Sequence, residues 1–494
     1  MLPRYWGPKD RRNGKFSDID AKTLGYIKGL GVSAIWYTGI IRHASTLTDD
    51  PHIVKGDAGS PYAITDYFDV NPYLADNSDT RLKEFVNLVK RTHKEGLKVI
   101  IDFVPNHVSR AYHGSSSPKG TEPLGAGDDT SVHWSPDNDF FYYPGKRLRL
   151  PNDPEGEYVE FPAKASGNNF SPSPAINDWY ETVRLNYCDF HTRTWDKMYG
   201  IVRFWAGLGV DGFRCDMVEM VPPQFFKWLI RRIKAEFPHI SFIAEVYQAE
   251  RYREYIEEVG FDLLYDKSGL YDTLRSVSTG GASAEGITRC WQFLGNLQPR
   301  MLNFLENHDE QRIASDFFAG NASSGYAALA VSLLMNDAPF MLYSGQELGE
   351  RGMDNEPFSG LNGRTTIFDW WRVGSLSRLW NTLHDEAPAL SEAESSVLSR
   401  YHEILNTAAS EEAFVSGKTY DLCYCQPPSF DRGRLFAWLR SDGKKTFIIV
   451  SNFSETEILT EITIPIEASI YLGVTLPDRY SLRVPAKDYS IVLL

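Results

Sequence analysis

The sequence predicts an α/β fold: a (β/α)8 barrel with a subdomain inserted after the third strand and a C-terminal antiparallel β-domain. Three observations predict it. Amphipathic segments, a glycine and a short apolar run follow one another repeatedly through the first part of the chain. Residues 105–188 interrupt this pattern with a stretch rich in Gly, Ser, Pro and Asn that has no clean period. From about residue 405, short segments alternate apolar and polar residues, which is typical of antiparallel strands.

The repeated pattern places the elements of the barrel in order. Residues 17–30 predict a helix that ends at Gly31, and residues 81–95 predict a second helix, with Asp79 as its N-cap and Gly96 as its stop. Further helices are predicted over 189–208, 223–236 and 249–259. Buried parallel strands are predicted over 32–37, 98–104, 210–216, 241–246, 261–265, 301–307 and 339–345. Seven strands, with one more near the N-terminus, fit a closed barrel of eight.

These elements divide the chain into three domains. The barrel takes residues 1–104 and 186–400, and the inserted subdomain takes 105–185. A C-terminal β-sandwich takes 401–494, where RLFAWLR, KTFIIVSNF, ILTEITIPI and YSIVLL read as strands.

Composition excludes several classes of protein. The chain has 494 residues, a net charge of −14 and no Lys/Arg-rich run, which argues against a nucleic-acid surface. No apolar run approaches the ~20 residues that span a membrane. Five scattered cysteines make no disulfide framework. Residues 1–16 contain no apolar signal-peptide core, but the chain begins abruptly, so cytoplasmic and periplasmic or secreted locations both stay open.

Polar residues follow four of the predicted strands at the end where barrel active sites are built. These are Asp102, Asn106 and His107, then Arg214 and Asp216, then Glu245, and then Asn307, His308 and Asp309. A single acid of this kind is often a helix cap or an ion pair at the rim, but four in register favour a site. Carboxylates beside His and Arg suit hydrolysis or transfer at an acetal. A metal-assisted phosphatase or isomerase stays open as well, although no zinc-type ligand spacing is present.

The segments that carry these residues resemble a known family. DFVPNH, DGFRCD, the Glu of FIAEV and the run FLENHD are similar, in order and spacing, to the four characteristic segments of the α-amylase family of glycoside hydrolases. GVSAIWY, SPYAITDYFDVNP and LYSGQELGERG extend the resemblance over nearly the whole chain. The resemblance implies a TIM barrel with a subdomain after strand three and a C-terminal β-domain, the division already reached from the pattern.

The resemblance also implies a role for each site residue in a retaining double displacement. Asp216 matches the nucleophile, Glu245 the general acid/base and Asp309 the carboxylate that stabilises the transition state. The remaining matches are substrate-binding: Tyr62 as the platform under the sugar, His107 and His308 as partners of its hydroxyls, Arg214 as the group that aligns Asp216, and Asp354 with Arg364 near the far hydroxyls. Arg214 should lower the pKa of Asp216, while Glu245 must be protonated to start.

The same resemblance implies a structural calcium ion. It also implies that the first strand of the barrel is incomplete in this sequence. Asn106 matches a calcium ligand, with Asp178 as its partner from the inserted subdomain; the alternative is that Asn106 only hydrogen-bonds its loop. Family barrels begin with a strand before a segment like LPRYWG, so we expect only a strand fragment over Leu2–Trp6 and further residues upstream in the native protein.

Departures from the family pattern leave the substrate open. Glu219 and Met220 stand where many α-amylases have Lys-His after the nucleophile, and residues 176–187 do not match oligo-1,6-glucosidases or neopullulanases. The leading hypothesis is hydrolysis of α-1,4 bonds in starch fragments or maltooligosaccharides by a monomeric enzyme without nucleic-acid or membrane partners. The alternatives are a glucosyltransferase or sugar isomerase of the same family, and a non-catalytic carbohydrate-binding relative.

Overall fold

A computed structural model describes residues 1–494 and has a curved sheet of seven parallel strands at its centre, in the order β1-β4-β9-β10-β11-β12-β13. The strands β1–β13 run over Ala34–Tyr37, Ile41–His43, Ile64–Val70, Lys98–Phe103, His107–Ser109, Tyr142–Tyr143, Ala163–Lys164, Thr182–Arg184, Gly212–Cys215, Ser241–Ala244, Leu263–Tyr265, Met301–Phe304 and Phe340–Met341. The helices α1–α11 run over Ala21–Gly29, Arg81–Lys94, Arg193–Gly207, Pro223–Glu236, Asp272–Ser278, Glu285–Leu294, Tyr326–Leu334, Gly374–Leu383, Glu392–Ser410, Glu412–Val415 and Ile466–Leu472. The sheet and the helices that cover it confirm the predicted barrel class of fold.

The helices pack on the sheet through the apolar faces that their sequences predict. Helix α2 buries Phe85, Leu88 and Val89 against the strands and ends before Gly96, whose φ of +73° suits a residue without a Cβ. The predicted cap of α2 is wrong. Thr80 stands at the N-cap, and Asp79 belongs to a 3-10 turn just before it. The helix predicted over 249–259 is present, but it begins as a 3-10 turn and continues as a π-helix over Glu254–Val259.

The N-terminal residues lie beside strand β1 without forming the predicted strand fragment over Leu2–Trp6. Pro3–Tyr5 is a 3-10 turn, because Pro3 fixes φ and the Trp6 N–H donates to its carbonyl at 3.0 Å. Only Met1 bonds to β1 as a strand neighbour would. Its amino group donates to the Trp36 carbonyl at 2.8 Å, and its carbonyl accepts from Thr38 N–H at 2.9 Å.

The segment between β4 and α3 forms a wall above the carboxyl ends of the barrel strands. Two small antiparallel pairs, β5-β8 and β6-β7, give it regular structure. Buried ion pairs hold it: Arg110 Nη1 lies 2.7 Å from Glu160, and Lys197 Nζ lies 2.6 Å from Asp139. Because Lys197 belongs to α3, the second pair ties the insertion to the barrel.

The C-terminal part is an antiparallel β-domain. Its strands β14–β19 run over Lys418–Asp421, Leu435–Ser441, Thr446–Asn452, Ile458–Thr463, Arg479–Val484 and Tyr489–Leu493. They form a four-stranded sheet, β14-β15-β16-β19, and a separate pair, β17-β18. Helix α9, Glu392–Ser410, precedes them and runs across the predicted 400/401 boundary. None of the helices is long and apolar enough to cross a membrane.

Candidate active site

Two carboxylates emerge side by side from neighbouring strands. Asp216 follows β9 directly, and its N–H continues the sheet by donating to the Phe103 carbonyl at 2.9 Å. Glu245 follows β10, and its N–H donates to the Cys215 carbonyl at 3.2 Å. The parallel register of the two strands therefore brings both side chains to the same edge of the sheet.

Arg214 connects these two carboxylates. Its Nη1 lies 2.6 Å from Asp216 Oδ1, and its Nη2 lies 2.9 Å from Glu245 Oε2. Its Nε donates to the Tyr265 hydroxyl at 3.2 Å, and Asp102 lies 3.8 Å from Nη1. The guanidinium is almost completely buried, with 1% of its side chain exposed, so its charge is poorly screened by water. The sequence predicted its pairing with Asp216 and missed its pairing with Glu245.

Burial changes the protonation of this cluster. Burial raises the pKa of Asp216, and the Arg214 guanidinium only partly offsets that rise. Arg214 lowers the pKa of Asp216, as the sequence predicts, but burial outweighs this influence and the net shift is upward. The cause is desolvation, which depends on how deeply the folded chain buries the strand end. Burial also raises the pKa of Asp102 to about 7, against the opposing charge of Arg214.

A sharp turn after Asp216 holds Glu245 in place. Met217 is left-handed, with a φ of +45°, and this conformation directs its N–H to Glu245 Oε2 at 2.8 Å. The Tyr247 hydroxyl donates to the other oxygen, Oε1, at 2.6 Å. The Glu219 carboxylate in turn accepts from Tyr247 N–H at 2.9 Å and from Gln248 N–H at 3.1 Å. Both oxygens of Glu245 are thus fixed by donors before any ligand arrives.

Asp309 faces these two acids from the end of β12. Its side chain is 45% exposed, and its Oδ2 lies 3.1 Å from His308 Nε2. The same nitrogen lies 2.7 Å from the Tyr62 hydroxyl, and the Tyr62 and His308 rings stack with centroids 5.3 Å apart. Although much of the side chain is exposed, desolvation by the surrounding protein atoms and the negative charge of Glu245 raise the pKa of Asp309. Burial lowers the pKa of His308 to about 3, so this imidazole is neutral at working pH.

His107 lies on the other side of the cavity from His308. Burial lowers its pKa to about 3 as well, and its ring lies 5.1 Å from that of Trp179. A cavity of about 260 Å³ opens between the two sides, lined by the three acids and by Tyr62, His107, His308, Tyr247, Trp179, Lys55, Glu181 and Phe368, among others. Six of the predicted site residues therefore line one cavity. They are the carboxylates Asp216, Glu245 and Asp309, together with Tyr62, His107 and His308.

Of Asp354 and Arg364, both predicted to lie near the far hydroxyls of the sugar, only Arg364 lies beside the cavity. Arg364 Nε donates to the backbone carbonyl of Asp309 at 2.6 Å, which places it beside the cavity. Asp354 is exposed, does not line the cavity and pairs with no cation. The loop 351–364 is irregular, and its sequence carries no period that could have fixed which of its side chains turn inward.

Asn106 and Asp178 do not fit a calcium site. The Asp178 carboxylate accepts from Asn169 Nδ2 at 2.6 Å and from Ala175 N–H at 2.7 Å. Asn106 donates its amide to the Gly167 carbonyl at 2.9 Å, so its nitrogen, rather than its oxygen, makes that contact. The Arg184 guanidinium reaches the same carbonyl at 3.4 Å and brings a positive charge there. Calcium requires six to eight converging oxygens, whereas the groups that reach the Gly167 carbonyl here are an amide nitrogen and a guanidinium.

Three side chains that line the cavity, Tyr247, Lys55 and Glu181, were not predicted from the sequence. Tyr247 stands two positions after Glu245 in an extended run, and this alternation is the signal that could have placed it on the same face. Lys55 and Glu181, whose charged atoms lie 3.1 Å apart, form another wall of the cavity. Lys55 and Glu181 come from loops far apart in the chain, and no local sequence pattern predicts that contact.

Known proteins resemble this chain in sequence and in fold. Residues 9–249 match the family described as "Alpha amylase, catalytic domain". Alpha-amylase 3 of Dictyoglomus thermophilum is 24% identical over 342 residues, which cover 67% of this chain and 59% of that protein. Cyclomaltodextrin glucanotransferase of Bacillus licheniformis is 24% identical over 65% of this chain and 42% of its own. The chain thus spans about half the length of these curated relatives.

A solved structure extends the likeness to the whole fold. The cyclic α-maltosyl-(1→6)-maltose hydrolase of Arthrobacter globiformis superposes with a TM-score of 0.67 at 16% identity, covering 100% of this chain and 97% of that one. The matched catalytic-domain sequence, the shared fold and the carboxylates at the strand ends agree with one another. Residues 9–249 are thus similar to the α-amylase catalytic domain, and the matches in sequence and fold support the recognition of an α-amylase family glycoside hydrolase.

Proposed function

We propose that this protein cleaves α-1,4-glucosidic bonds in starch-derived glucans or maltooligosaccharides by a retaining double displacement. The observation that carries the proposal is the Arg214 fork, whose two terminal nitrogens lie within ion-pair distance of Asp216 and Glu245, at 2.6 and 2.9 Å. Carboxylates held on adjacent nitrogens of one guanidinium lie close together. Retaining glycosidases need such a short separation, whereas inverting ones leave room for a water between the two acids.

In the first step Glu245 protonates the oxygen of the scissile bond while Asp216 attacks the anomeric carbon. The bond from that carbon to the leaving oxygen breaks, and an ester to Asp216 forms. Arg214 keeps Asp216 ionised against the effect of burial, because its charge favours the carboxylate. The Tyr247 hydroxyl and the Met217 N–H fix the orientation of Glu245.

In the second step Glu245 removes a proton from water, which attacks the same carbon and releases Asp216. Asp309 stabilises the positive charge that develops on the sugar ring in both steps. The neutral imidazoles of His107 and His308 bind sugar hydroxyls, since each can both donate and accept a hydrogen bond. Tyr62 provides the surface under the ring, and we further propose that the protein acts as a monomer.

The test is product analysis on maltoheptaose. We expect maltooligosaccharides and glucose with retained α configuration, in equal yield with and without added glucose as acceptor. Transfer products that grow with added glucose would make the protein a glucosyltransferase; the Bacillus licheniformis relative is likewise named as a transferase, a cyclomaltodextrin glucanotransferase. The Asp216→Asn variant should lose hydrolysis, while the matched control Asp137→Asn, an exposed acid in the insertion, should keep it. Retained hydrolysis in Asp216→Asn would refute the nucleophile.

The acid has its own test. Glu245→Gln should lose activity on maltooligosaccharides, because their leaving oxygen needs a proton. Formation of the covalent intermediate from substrates with activated aryl leaving groups should survive. Equal loss of both activities would count against Glu245 as the acid.

A further inference from the structure

The cavity that holds the three acids is small. Its volume is about 260 Å³. A cavity of about 150 Å³ takes benzene, and a glucosyl unit is roughly twice as large as benzene, so the volume suits one sugar ring. A glucan chain that continues on both sides of the acids needs more space than this. The size of the cavity therefore raises the question of which side is closed, and by which residues.

The loop between strands β2 and β3 closes one side of the cavity. Lys55 in this loop places its Nζ 3.1 Å from Glu181 Oε2 and donates to the Asp178 carbonyl at 3.0 Å. The same nitrogen lies 5.0 Å from the centroid of the Tyr180 ring. Only 13% of the Lys55 side chain and 6% of the Glu181 side chain are exposed, so protein atoms cover the ion pair. The loop and the inserted subdomain are therefore joined at this point.

Apolar packing fixes the same loop against the insertion. Ile53, two residues before Lys55, is 2% exposed and belongs to a small buried cluster that the insertion otherwise supplies. The members of this cluster are Ile53, Leu148, Leu150, Ala163 and Tyr180. The side-chain amide of Asn152 adds a hydrogen bond to the His52 carbonyl at 3.1 Å. The position of Lys55 thus depends on packing as well as on its ion pair.

The loop is fixed on its other side by the segment that carries Phe368. The Ala58 N–H donates to the Phe368 carbonyl at 2.8 Å. Gly56 has a φ of +66°, and a Cβ at this position would clash with the same carbonyl, so the close approach requires glycine. Lys55, Glu181 and Phe368 all line the cavity, and we call these three residues the glycon wall. The wall is continuous from the insertion through the loop to Phe368.

The glycon wall lies away from the general acid. Glu245 is held by the Met217 N–H and the Tyr247 hydroxyl, and no wall residue makes a hydrogen bond or an ion pair with these groups. Tyr62, the surface under the sugar ring, belongs to the same loop as Lys55. The leaving oxygen must lie beside Glu245 to receive its proton. The wall therefore faces the opposite, non-reducing side of the sugar ring.

We propose that the glycon wall makes this enzyme exo-acting, so that it admits only the terminal glucosyl unit at the non-reducing end of an α-glucan. Lys55 and Glu181 bind the hydroxyls of that unit. Two of the three N–H donors of Lys55 are directed to the Asp178 carbonyl and to Glu181, and the third donates to a hydroxyl oxygen. The Glu181 carboxylate accepts from a hydroxyl group. Because the ion pair has no net charge, it suits hydroxyls better than a charged substituent.

The identity of the sugar rests on the proposed function, whereas the closed side of the cavity follows from the wall residues. The test compares maltoheptaose with the same sugar carrying a 4,6-O-ethylidene group on its non-reducing end. The wild type should release glucose first from the free sugar and should hydrolyse the blocked sugar at least tenfold more slowly, because the wall leaves space for one unmodified ring. Similar rates on both sugars, or maltose or a longer product released first from the free sugar, would overturn the proposal.

Two double variants separate the bulk of the wall from its charges. Both partners are replaced together, because removing one would leave a buried unpaired charge. Lys55→Ala/Glu181→Ala should raise hydrolysis of the blocked sugar at least tenfold over the wild type. Lys55→Met/Glu181→Gln keeps the bulk, so it should still exclude the blocked sugar and should raise KM for the free sugar more than it lowers kcat. The control Arg479→Ala/Glu461→Ala removes an exposed ion pair of 2.8 Å in the C-terminal domain and should change neither quantity.

The variants also have outcomes that contradict the wall. Wild-type rates on the blocked sugar in the alanine variant, together with a wild-type KM in the Met/Gln variant, would overturn it. Melting curves show whether each variant is folded, and the comparison of the two sugars on the wild type decides the matter without them.

Failure of the proposed function has a different signature, because the wild type then hydrolyses neither form of maltoheptaose. Calorimetric titration of free and ethylidene-blocked maltotriose into the Glu245→Gln variant tests the wall in that case. Binding of the free sugar alone would support the glycon wall although the hydrolysis had failed. Equal binding of both sugars, or binding of neither, would overturn it.

Discussion

Replacing Arg214 by methionine should destabilise the protein strongly at neutral pH and far less in acid. The side chain is 1% exposed and pairs with Asp216 and Glu245, which are 9% and 3% exposed. Removing one partner of a buried ion pair costs about 3–5 kcal/mol, because the charges left behind are neither paired nor hydrated. We therefore expect the free energy of unfolding to fall by about 4 kcal/mol at pH 7.5.

The pH dependence has a definite sign. Asp216 already has a raised pKa in the folded protein, and Arg214 is the group that opposes the rise, so its loss raises that pKa further. In the unfolded chain the group titrates near its ordinary value of about 3.9. The penalty is therefore present above the folded pKa and disappears as the pH falls toward the unfolded value, where the carboxyl is neutral in both states.

The assay is urea unfolding of wild type and variant at several pH values, together with the pH profile of kcat/KM. The acid limb of that profile should move to higher pH in Arg214→Met, because Asp216 must be ionised to attack. Arg312→Met is the control. Arg312 is equally buried and lies 2.9 Å from Glu306, away from the cavity, so its loss should cost similar stability without moving the limb. A loss below about 1 kcal/mol, or an unmoved acid limb, would refute the reasoning.

Three further predictions follow from single contacts. Tyr247→Phe should lower kcat/KM on maltooligosaccharides about 10- to 100-fold, because a hydrogen bond to a carboxylate contributes about 1.5–3 kcal/mol; Tyr424→Phe, an exposed tyrosine paired with Tyr420, should change nothing. His43→Asn should flatten the loss of stability in acid. Burial lowers the pKa of His43 to about 3, so the unfolded chain alone binds its proton between about pH 6.5 and 3, which costs about 1.4 kcal/mol per pH unit that the variant is spared. A chelator should leave the melting temperature of the protein unchanged. A fall of several degrees would instead support a structural calcium ion.

The barrel strands and the positions of the acidic residues at their ends could be predicted because both depend on local sequence patterns. Apolar runs such as 241–246 become buried strands, and a polar residue at the end of such a run must lie at the rim. Contacts between distant segments carry no such pattern. Two examples are the ion pair of Arg214 with Glu245 and the ion pair of Lys55 with Glu181. Both depend on how the strands and loops meet. Desolvation of Asp216 is a tertiary effect of the same kind, and it outweighs the lowering of the pKa by Arg214 that the sequence predicted.

Local sequence patterns did not determine the type of one helix or the conformation of one loop. Residues 249–259 have a helical period, but the chain uses a 3-10 turn and a π-helix there, next to the segment that carries Tyr247. The loop with Asp354 and Arg364 aligned with the family only loosely, and the structure keeps one of the two beside the cavity. Asn106 matched a family position, yet its neighbours Gly167 and Arg184 decide what it binds.

The covalent intermediate tests the central claim most directly. The Glu245→Gln variant, incubated briefly with an α-maltosyl fluoride, should form the glycosyl ester and hydrolyse it slowly, because the fluoride leaves without a proton while deglycosylation still needs the base. Mass spectrometry of a rapid acid quench and digest should then find a maltosyl adduct on the peptide that contains Asp216. Release of fluoride with no adduct, or with the adduct on another residue, would contradict the assignment of Asp216 as the nucleophile.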